Sequence, residues 1–212
     1  MELHGAIQDF AEELLPQQVL LGLLKDYRRP HDKINELVKQ GMLVKLKREL
    51  YVPGPGLNIA RPESFLIANH LWGPSYVSLE SALSYHGYIP ERVHETSSVT
   101  VKRTRDYKTP AGRFSYLHLP LPYYAFGIQS VSLTPRQFAM IASIEKALCD
   151  KIVLTSGILL RSVQQTLAFL TEDLRIDEES LSQINCAQIA TWIADAPKSS
   201  SLEMLIKTLD SL

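Results

Sequence analysis

Apolar residues recur at helical spacing three times in the first forty residues. The first repeat predicts a helix over residues 3–15, the second a helix beginning at Pro16, and the third a helix from Pro30 to a left-handed cap at Gly41. The apolar positions are Leu3, Ile7, Phe10 and Leu14; Val19, Leu20, Leu23, Leu24 and Tyr27; and Ile34, Leu37 and Val38. The chain is therefore expected to begin with three short helices that pack together.

A β-hairpin is predicted directly after the third helix. Residues 42–52 alternate between apolar and charged side chains on both sides of a polar stretch at 47–49, which predicts two strands and a basic tip. Residues 53–56 alternate proline and glycine, which predicts a linker. We therefore expect two domains, at residues 1–55 and 56–212.

Helix and strand patterns alternate in the second domain. Ser78 is expected to be the N-cap of a helix. Helices are predicted at 62–72, 78–83, from 141, and near 158–171, 178–194 and 200–211; strands are predicted at 97–103, 113–119 and 128–133. The expected fold class is α+β: an N-terminal winged helix-turn-helix, then a mixed α/β domain with a small antiparallel sheet and a helical C-terminus.

Charge is distributed unevenly although the net charge of the 212-residue chain is only -1. Residues 25–52 contain eight Lys and Arg against four Asp and Glu, a net charge of +4, so the remainder carries -5. Such an uneven distribution of charge is expected when one small domain contacts nucleic-acid phosphates and the rest of the chain does not. The predicted DNA contacts are Arg28, Arg29, His31, Lys33, Lys39, Lys45, Lys47 and Arg48.

The third helix also supports a different interpretation. If Ile34, Leu37 and Val38 face inward, then Asp32 and Glu36 face outward with Asn35 and Lys39, and acids repel phosphate, although they can accept from cytosine N4. The alternatives are a helical bundle with a solvated polar face, or a winged-helix protein-protein adaptor that does not bind DNA.

A second basic run crosses a predicted strand and turn. It comprises Lys102, Arg103, Arg105, Lys108 and Arg113, interrupted by Asp106. It fits either a solvated loop edge or an auxiliary surface for nucleic acid or a partner. The residues leave both interpretations open.

No enzyme motif is recognisable. Glu145 and Asp150 diverge by about 140° on a helix, so they do not converge on one proton, and together with Lys146 they are expected to form an ion-paired helix surface. His70, His86, His94 and His118 have no partner at motif spacing, and no glycine-rich phosphate loop is present. We therefore expect no catalytic residue, no metal and no cofactor.

The expected location is the cytoplasm, without a membrane segment. The longest run without Asp, Glu, Lys or Arg, residues 114–135, is interrupted by prolines and polar residues, so it does not resemble the roughly 18 apolar residues that a membrane span requires. Cys149 and Cys186 stand in helical patterns without a CxxC pair, which favours buried free thiols.

Three segments resemble the AbiEi antitoxins, predicted regulators of bacterial abortive-infection operons of the type IV toxin-antitoxin class. They are GMLVKLKRELYV (41–52), YVSLESALSYHGYIP (76–90) and SIEKALCDKIVL (143–154), and the resemblance spans most of residues 15–155. Arg48-Glu49 stands where a tight Arg-Gly turn is usual, which predicts a differently shaped wing tip. The final fifty or so residues match less clearly.

The resemblance implies a non-catalytic autorepressor whose winged helix binds inverted repeats in its own promoter. It also implies a second domain that neutralises a nucleotidyltransferase-like toxin. Lys45, Lys47 and Arg48 match the family's DNA-contacting hairpin region. Because inverted repeats are two-fold symmetric, two copies are expected on double-stranded DNA, either preformed or assembled there.

Overall fold

The computed structural model describes residues 3–91 and 94–212. Its N-terminal part contains three helices and a three-stranded antiparallel sheet in the order β1-β3-β2. The elements are α1 (Leu3–Gln8), β1 (Leu15–Pro16), α2 (Gln17–Leu23), α3 (Pro30–Lys39), β2 (Leu43–Lys47) and β3 (Leu50–Pro53). The predicted helix–helix–helix–hairpin order is confirmed, with β1 as an addition.

The first helix is shorter than its apolar repeat predicts. The chain leaves the helix after Gln8, turns through Glu12 with a positive φ of 68°, and pairs Leu15 with Tyr51 of β3. Tyr27, predicted to be part of the core stripe of the second helix, is 43% exposed. The predicted apolar position Leu3 lies outside the side chains that the structure describes.

The third helix has the predicted bounds and cap. Pro30 is its first residue, and Ile34 and Leu37 are buried. Gly41 follows with a φ of 70°, and the N–H of Met42 donates to the carbonyl of Leu37. Glycine suits this left-handed position because it has no Cβ.

The β2–β3 hairpin packs on two apolar clusters at once. Leu43 and Tyr51 belong to the smaller cluster, which α1, α2 and α3 surround. Leu46, Leu50 and Val52 belong to the larger cluster of the second part. Since side chains alternate across a strand, each face of the hairpin is committed to a different core.

The tip of the hairpin keeps the backbone of a glycine turn without a glycine. Arg48 and Glu49 connect the strands, and Glu49 has a φ of 64°. A left-handed conformation is unfavourable for a residue with a Cβ. Glu49 therefore occupies a conformation that glycine would adopt at lower cost.

Residues 53–56 form an ordered turn instead of a flexible linker. The N–H of Gly54 donates to the carbonyl of Met42 at 2.8 Å, and the N–H of Gly56 donates to that of Gly41 at 2.9 Å. A Cβ on Gly54 would lie 2.2 Å from the Gly41 oxygen, which explains the glycine. The smaller cluster continues to Leu57, so the division at residue 55 stays a prediction.

The second part is built on a six-stranded sheet in the order β6-β7-β5-β4-β9-β8. A 3₁₀ turn at Pro55–Leu57 leads into it, and another lies at Tyr123–Ala125. The elements are α4 (Ser64–Leu71), β4 (Ser75–Val77), α5 (Leu79–Tyr85), β5 (Glu95–Thr100), β6 (Arg105–Thr109), β7 (Gly112–His118), β8 (Ile128–Thr134) and β9 (Gln137–Ala142).

The expectation of a small antiparallel sheet is wrong. Strand β5 runs parallel to β7, and β4 runs parallel to β9, while the other neighbours are antiparallel. Parallel neighbours require crossover connections, which strand patterns alone do not reveal. Strands β4, β6 and β9 were not predicted, and β9 occupies the start of the helix expected from residue 141.

Helices cover the C-terminal part. They are α6 (Ile144–Leu154), α7 (Val163–Ala168), α8 (Glu178–Leu181), α9 (Cys186–Ala190) and α10 (Ser199–Leu209), with a π-helical turn at Phe169–Asp173 and a 3₁₀ turn at Ile193–Asp195. The continuous helix predicted over 178–194 is thus broken into short pieces. The helical character of the C-terminus is confirmed.

The expected ion-paired surface on α6 is instead a buried ion pair. Nζ of Lys146 lies 2.9 Å from Oδ1 of Asp150, and both side chains are fully buried. The Asp150 carboxylate also accepts from the hydroxyls of Tyr76 at 2.9 Å and Ser78 at 2.8 Å. Lys146 donates to the carbonyl of Tyr123 at 2.9 Å.

The hydroxyl of Ser78 takes part in this network and does not cap α5 as predicted. Ser78 precedes α5, but its hydroxyl serves Asp150 and makes no cap hydrogen bond. Burial raises the pKa of the Asp150 carboxyl, and the Lys146 ammonium and the hydroxyl donors oppose that rise. Since an unpaired buried charge is costly, α6 is held in one position against β4.

In the described part of the chain, no helix is long and apolar enough to cross a membrane. Both cysteines are free; Cys149 is buried as expected, whereas Cys186 is only half-buried.

Candidate nucleic-acid interface

The start of α3 and the turn before it expose three predicted DNA contacts. Arg28, Arg29 and His31 are all exposed. Nη1 of Arg29 lies 3.9 Å from Oδ2 of Asp32, and both side chains are largely solvated. An exposed ion pair at this distance is weak, so Arg29 keeps its capacity to contact a phosphate.

Lys33 and Lys39 differ in availability. Lys33 is half-buried, and its Nζ lies 3.0 Å from Oε2 of Glu36, a contact that lowers the pKa of the Glu36 carboxyl. Lys39 is exposed near the end of the helix. The predicted outward set of Asp32, Asn35, Glu36 and Lys39 is indeed exposed, so acids and bases share this face.

The three basic residues of the hairpin point in two directions. Lys45 is exposed, and the side chain of Arg48 is 92% exposed with its Nε 3.3 Å from Oε1 of Glu49. Lys47 instead turns toward α4, where its Nζ donates to the carbonyls of His70 at 3.2 Å and Leu71 at 2.6 Å. The predicted role of Lys47 as an exposed wing contact therefore does not fit its position.

Lys47 acts as a cap for the C-terminal end of α4. The last carbonyls of a helix lack partners within the helix and carry a partial negative charge, which a cation satisfies. Burial, followed by the charges of Lys102 and Arg105, lowers the pKa of the Lys47 ammonium. The hairpin thus brings a positive charge close to the second basic run.

The second basic run lies at the β6 edge of the sheet and is divided between the two faces of the sheet. Arg105 shares a face with Tyr107, whereas Lys108 and Arg113 point to the opposite face. All five bases, Lys102, Arg103, Arg105, Lys108 and Arg113, are exposed, and none has a carboxylate within ion-pair distance among residues 3–91 and 94–212. Arg113 and Lys108 face each other across β6 and β7. Unrelieved like charge on an edge attracts an anionic partner.

Trp72 organises this edge. Its indole N–H donates to the carbonyl of Arg103 at 3.2 Å. Nζ of Lys102 lies 5.0 Å from the Trp72 ring centroid, and the Arg105 guanidinium lies 4.8 Å from both the Trp72 and the Tyr107 rings. Cation–π contacts hold these bases in place without neutralising them.

Trp72 was not among the residues singled out from the sequence. It directly follows α4, whose last carbonyls bind Lys47, and it stacks on residues some thirty positions later. No local pattern signals such a contact, because it depends on the pairing of distant strands. The structure thereby joins the hairpin, the end of α4 and the second basic run on one side of the molecule.

The histidines singled out from the sequence make separate contacts in the structure. His86 Nε2 lies 2.8 Å from the Ala142 carbonyl, and His118 Nδ1 lies 3.1 Å from that of Lys102. His94 and three glutamates line a cavity of about 610 Å³, but no hydrogen bond joins His94 to a carboxylate within the described residues. No group of three or more potential metal ligands occurs among those residues either.

Comparison of the chain with models of known protein families and with curated proteins finds no match.

Substitution of Lys47 should lower the stability of the protein more than substitution of Lys45. Lys47→Met removes two hydrogen bonds to helix carbonyls and keeps most of the apolar stem, so we expect a loss of about 1 kcal/mol and a melting temperature lower by roughly 2–4 °C. Lys45→Met, at an exposed position, should change stability by less than about 0.5 kcal/mol. Thermal denaturation measures both; equal effects would contradict the capping role.

Proposed function

We propose that this chain is a DNA-binding transcriptional regulator whose N-terminal part works as a winged helix-turn-helix. The order of α1, α2, α3 and the β2–β3 hairpin around one apolar cluster supports the proposal. In such a module α3 enters the major groove and the hairpin lies over the DNA backbone.

One observation carries the proposal: the hairpin and the second basic run meet on one side of the molecule. Lys45 and Arg48 are exposed on the hairpin, and the adjoining edge presents Lys102 and Arg105 without carboxylate partners among the described residues. A duplex carries closely spaced phosphates along its axis, so an extended array of cations gains more from it than from a single small anion.

The exposed face of α3 suits direct contact with bases as well as phosphates. Arg28, Arg29 and His31 can donate to phosphates or to guanine, and Asp32 and Glu36 can accept from the N4 amino group of cytosine. The mixed charge of this helix therefore adds selectivity, while the hairpin and the sheet edge supply affinity.

We further propose that the regulator represses its own operon and is the antitoxin of a type IV, abortive-infection toxin-antitoxin system. The support is the sequence resemblance of residues 41–52, 76–90 and 143–154 to the AbiEi antitoxins. The proposed partners are inverted repeats in the promoter, bound by two copies, and a nucleotidyltransferase-like toxin.

A protein-protein adaptor is the second candidate function, and α3 itself favours it. Asp32 and Glu36 are exposed on the helix that would enter the groove. Asp32 contacts Arg29, just before the helix, and Glu36 contacts Lys33 on the same helix. The two functions differ in salt dependence, because only DNA binding releases many counterions.

Binding to a duplex from the region upstream of the gene should weaken steeply as salt rises. Each side chain that neutralises a phosphate adds about 0.9 to the steepness of log K against log[salt]. We therefore expect the double variants Lys45→Ala/Arg48→Ala and Lys102→Ala/Arg105→Ala each to lower the slope by about 2. Fluorescence anisotropy over a salt series measures this slope.

The matched control is Arg161→Ala/Lys207→Ala, which removes two exposed bases from the C-terminal part. It should leave the slope unchanged. Tight binding that is insensitive to salt, or no binding at low ionic strength, would overturn the DNA-binding proposal and leave the adaptor. An unchanged slope in the Lys102/Arg105 variant alone would remove the sheet edge from the interface.

Antitoxin activity is tested by growth. Cells that express an adjacent nucleotidyltransferase-like gene should stop growing, and co-expression of this chain should restore their colony counts. Absence of such a neighbouring gene, or failure of the expressed, folded chain to restore growth, would contradict the antitoxin proposal without affecting DNA binding.

A further inference from the structure

The two edges of the six-stranded sheet differ in how well they are protected against pairing with a strand from another chain. Strand β6 at one edge carries Arg105, Asp106 and Lys108 among five residues, and it lies next to β2. Strand β8 at the other edge has the sequence IQSVSLT, without a charged residue or a proline. Proteins normally block a sheet edge with charges, proline or a covering element, and β8 lacks the first two.

The backbone of β8 offers free hydrogen-bonding groups at three alternate positions. Asn69 binds both the N–H of Met140, at 2.7 Å, and its carbonyl, at 3.2 Å, so these groups face away from β8. Met140 stands opposite Ser130 in the antiparallel pairing, and the backbone groups of Ser130 therefore face away from β9. By the same alternation, the backbone groups of Ile128 and Ser132 also face away from β9.

No other described strand covers these groups. Strand β8 has β9 as its neighbour in the sheet, and no further backbone hydrogen bond reaches Ile128, Ser130 or Ser132 from the described residues. A row of unpaired donors and acceptors on an extended strand is a template for another extended strand.

The absence of charge on β8 favours a second copy of this chain as the partner of this strand. Strand β8 has no charged side chain that could repel a like charge in its own copy, whereas β6 carries three charged residues. Phe138 and Met140, which are 57% and 41% exposed, stand opposite Ser132 and Ser130 on the adjoining strand and extend an apolar surface beside the edge.

We propose that β8 is the interface through which two copies of this chain associate. The two β8 strands pair antiparallel about a two-fold axis, with Ser130 opposite Ser130 of the second copy and Ile128 opposite Ser132. This register uses all three outward-facing residues of each copy and joins the two sheets into one. An isologous contact of this kind closes on itself and stops at a dimer.

The test is the oligomeric state of the full chain without DNA, measured by sedimentation equilibrium over rising protein concentration. The natural sequence should shift from monomer to dimer. Ser130→Pro removes an N–H that the β8–β9 pairing does not use, so it should weaken the dimer by about tenfold or more. Ser130→Thr keeps the N–H and should dimerise like the natural sequence.

A second variant covers the case in which proline disturbs the strand. Ser130→Lys at this exposed position places two ammonium groups opposite each other across the axis and should also weaken the dimer, by an amount that falls as salt is added. A natural chain that stays monomeric would overturn the proposal. So would a Ser130→Lys variant that dimerises as tightly as Ser130→Thr. Neither result bears on DNA binding, which is measured separately.

Discussion

The packing of the β2–β3 hairpin against two cores is the constraint on which the rest of the structure depends. Leu43 and Tyr51 are buried in the smaller cluster, while Leu46 and Leu50 are buried in the larger one. A slip of one residue in either strand would exchange the two faces and expose both sets. The hairpin therefore has one register and one orientation, and its basic residues have fixed positions relative to the six-stranded sheet.

That constraint determines what each basic residue of the hairpin does. Lys47 is drawn to the end of α4, whereas Lys45 and Arg48 remain in solvent. Lys102 and Arg105, which Trp72 holds in place, lie close to Lys47. Concentrating like charges in this way lowers the stability of the free protein, and an anionic partner relieves the repulsion. Phosphates spaced along a duplex match such an extended surface better than isolated carboxylates do.

Local patterns predicted the third helix well. Helix α3 begins at Pro30 and is capped at Gly41 as expected, because both signals act within a few residues. The exposed and buried faces of α3 were also correct. The same kind of reasoning failed where the decisive contact is distant in sequence: Asp150 accepts from Tyr76 and Ser78, some seventy residues earlier, and so lies in the core instead of on a helix surface.

The sheet and the basic edge show the same limit. Strand β5 pairs in parallel with β7 although β6 lies between them in the chain, and β4 pairs in parallel with β9 some sixty residues later, so alternation within one strand does not reveal these pairs. The basic character of residues 102–113 was evident from the sequence. Its position beside the hairpin was not, because Trp72 and Lys47 reach it from different parts of the chain.

Lysine footprinting tests most directly whether one duplex contacts the hairpin and the sheet edge together. The protein is acetylated with and without upstream duplex DNA, and the modified lysines are quantified by mass spectrometry. Lys45 and Lys102 should lose reactivity together as DNA is added, while the exposed Lys207 keeps its reactivity. Protection of neither Lys45 nor Lys102, or equal protection of Lys207, would contradict a single basic surface that binds DNA.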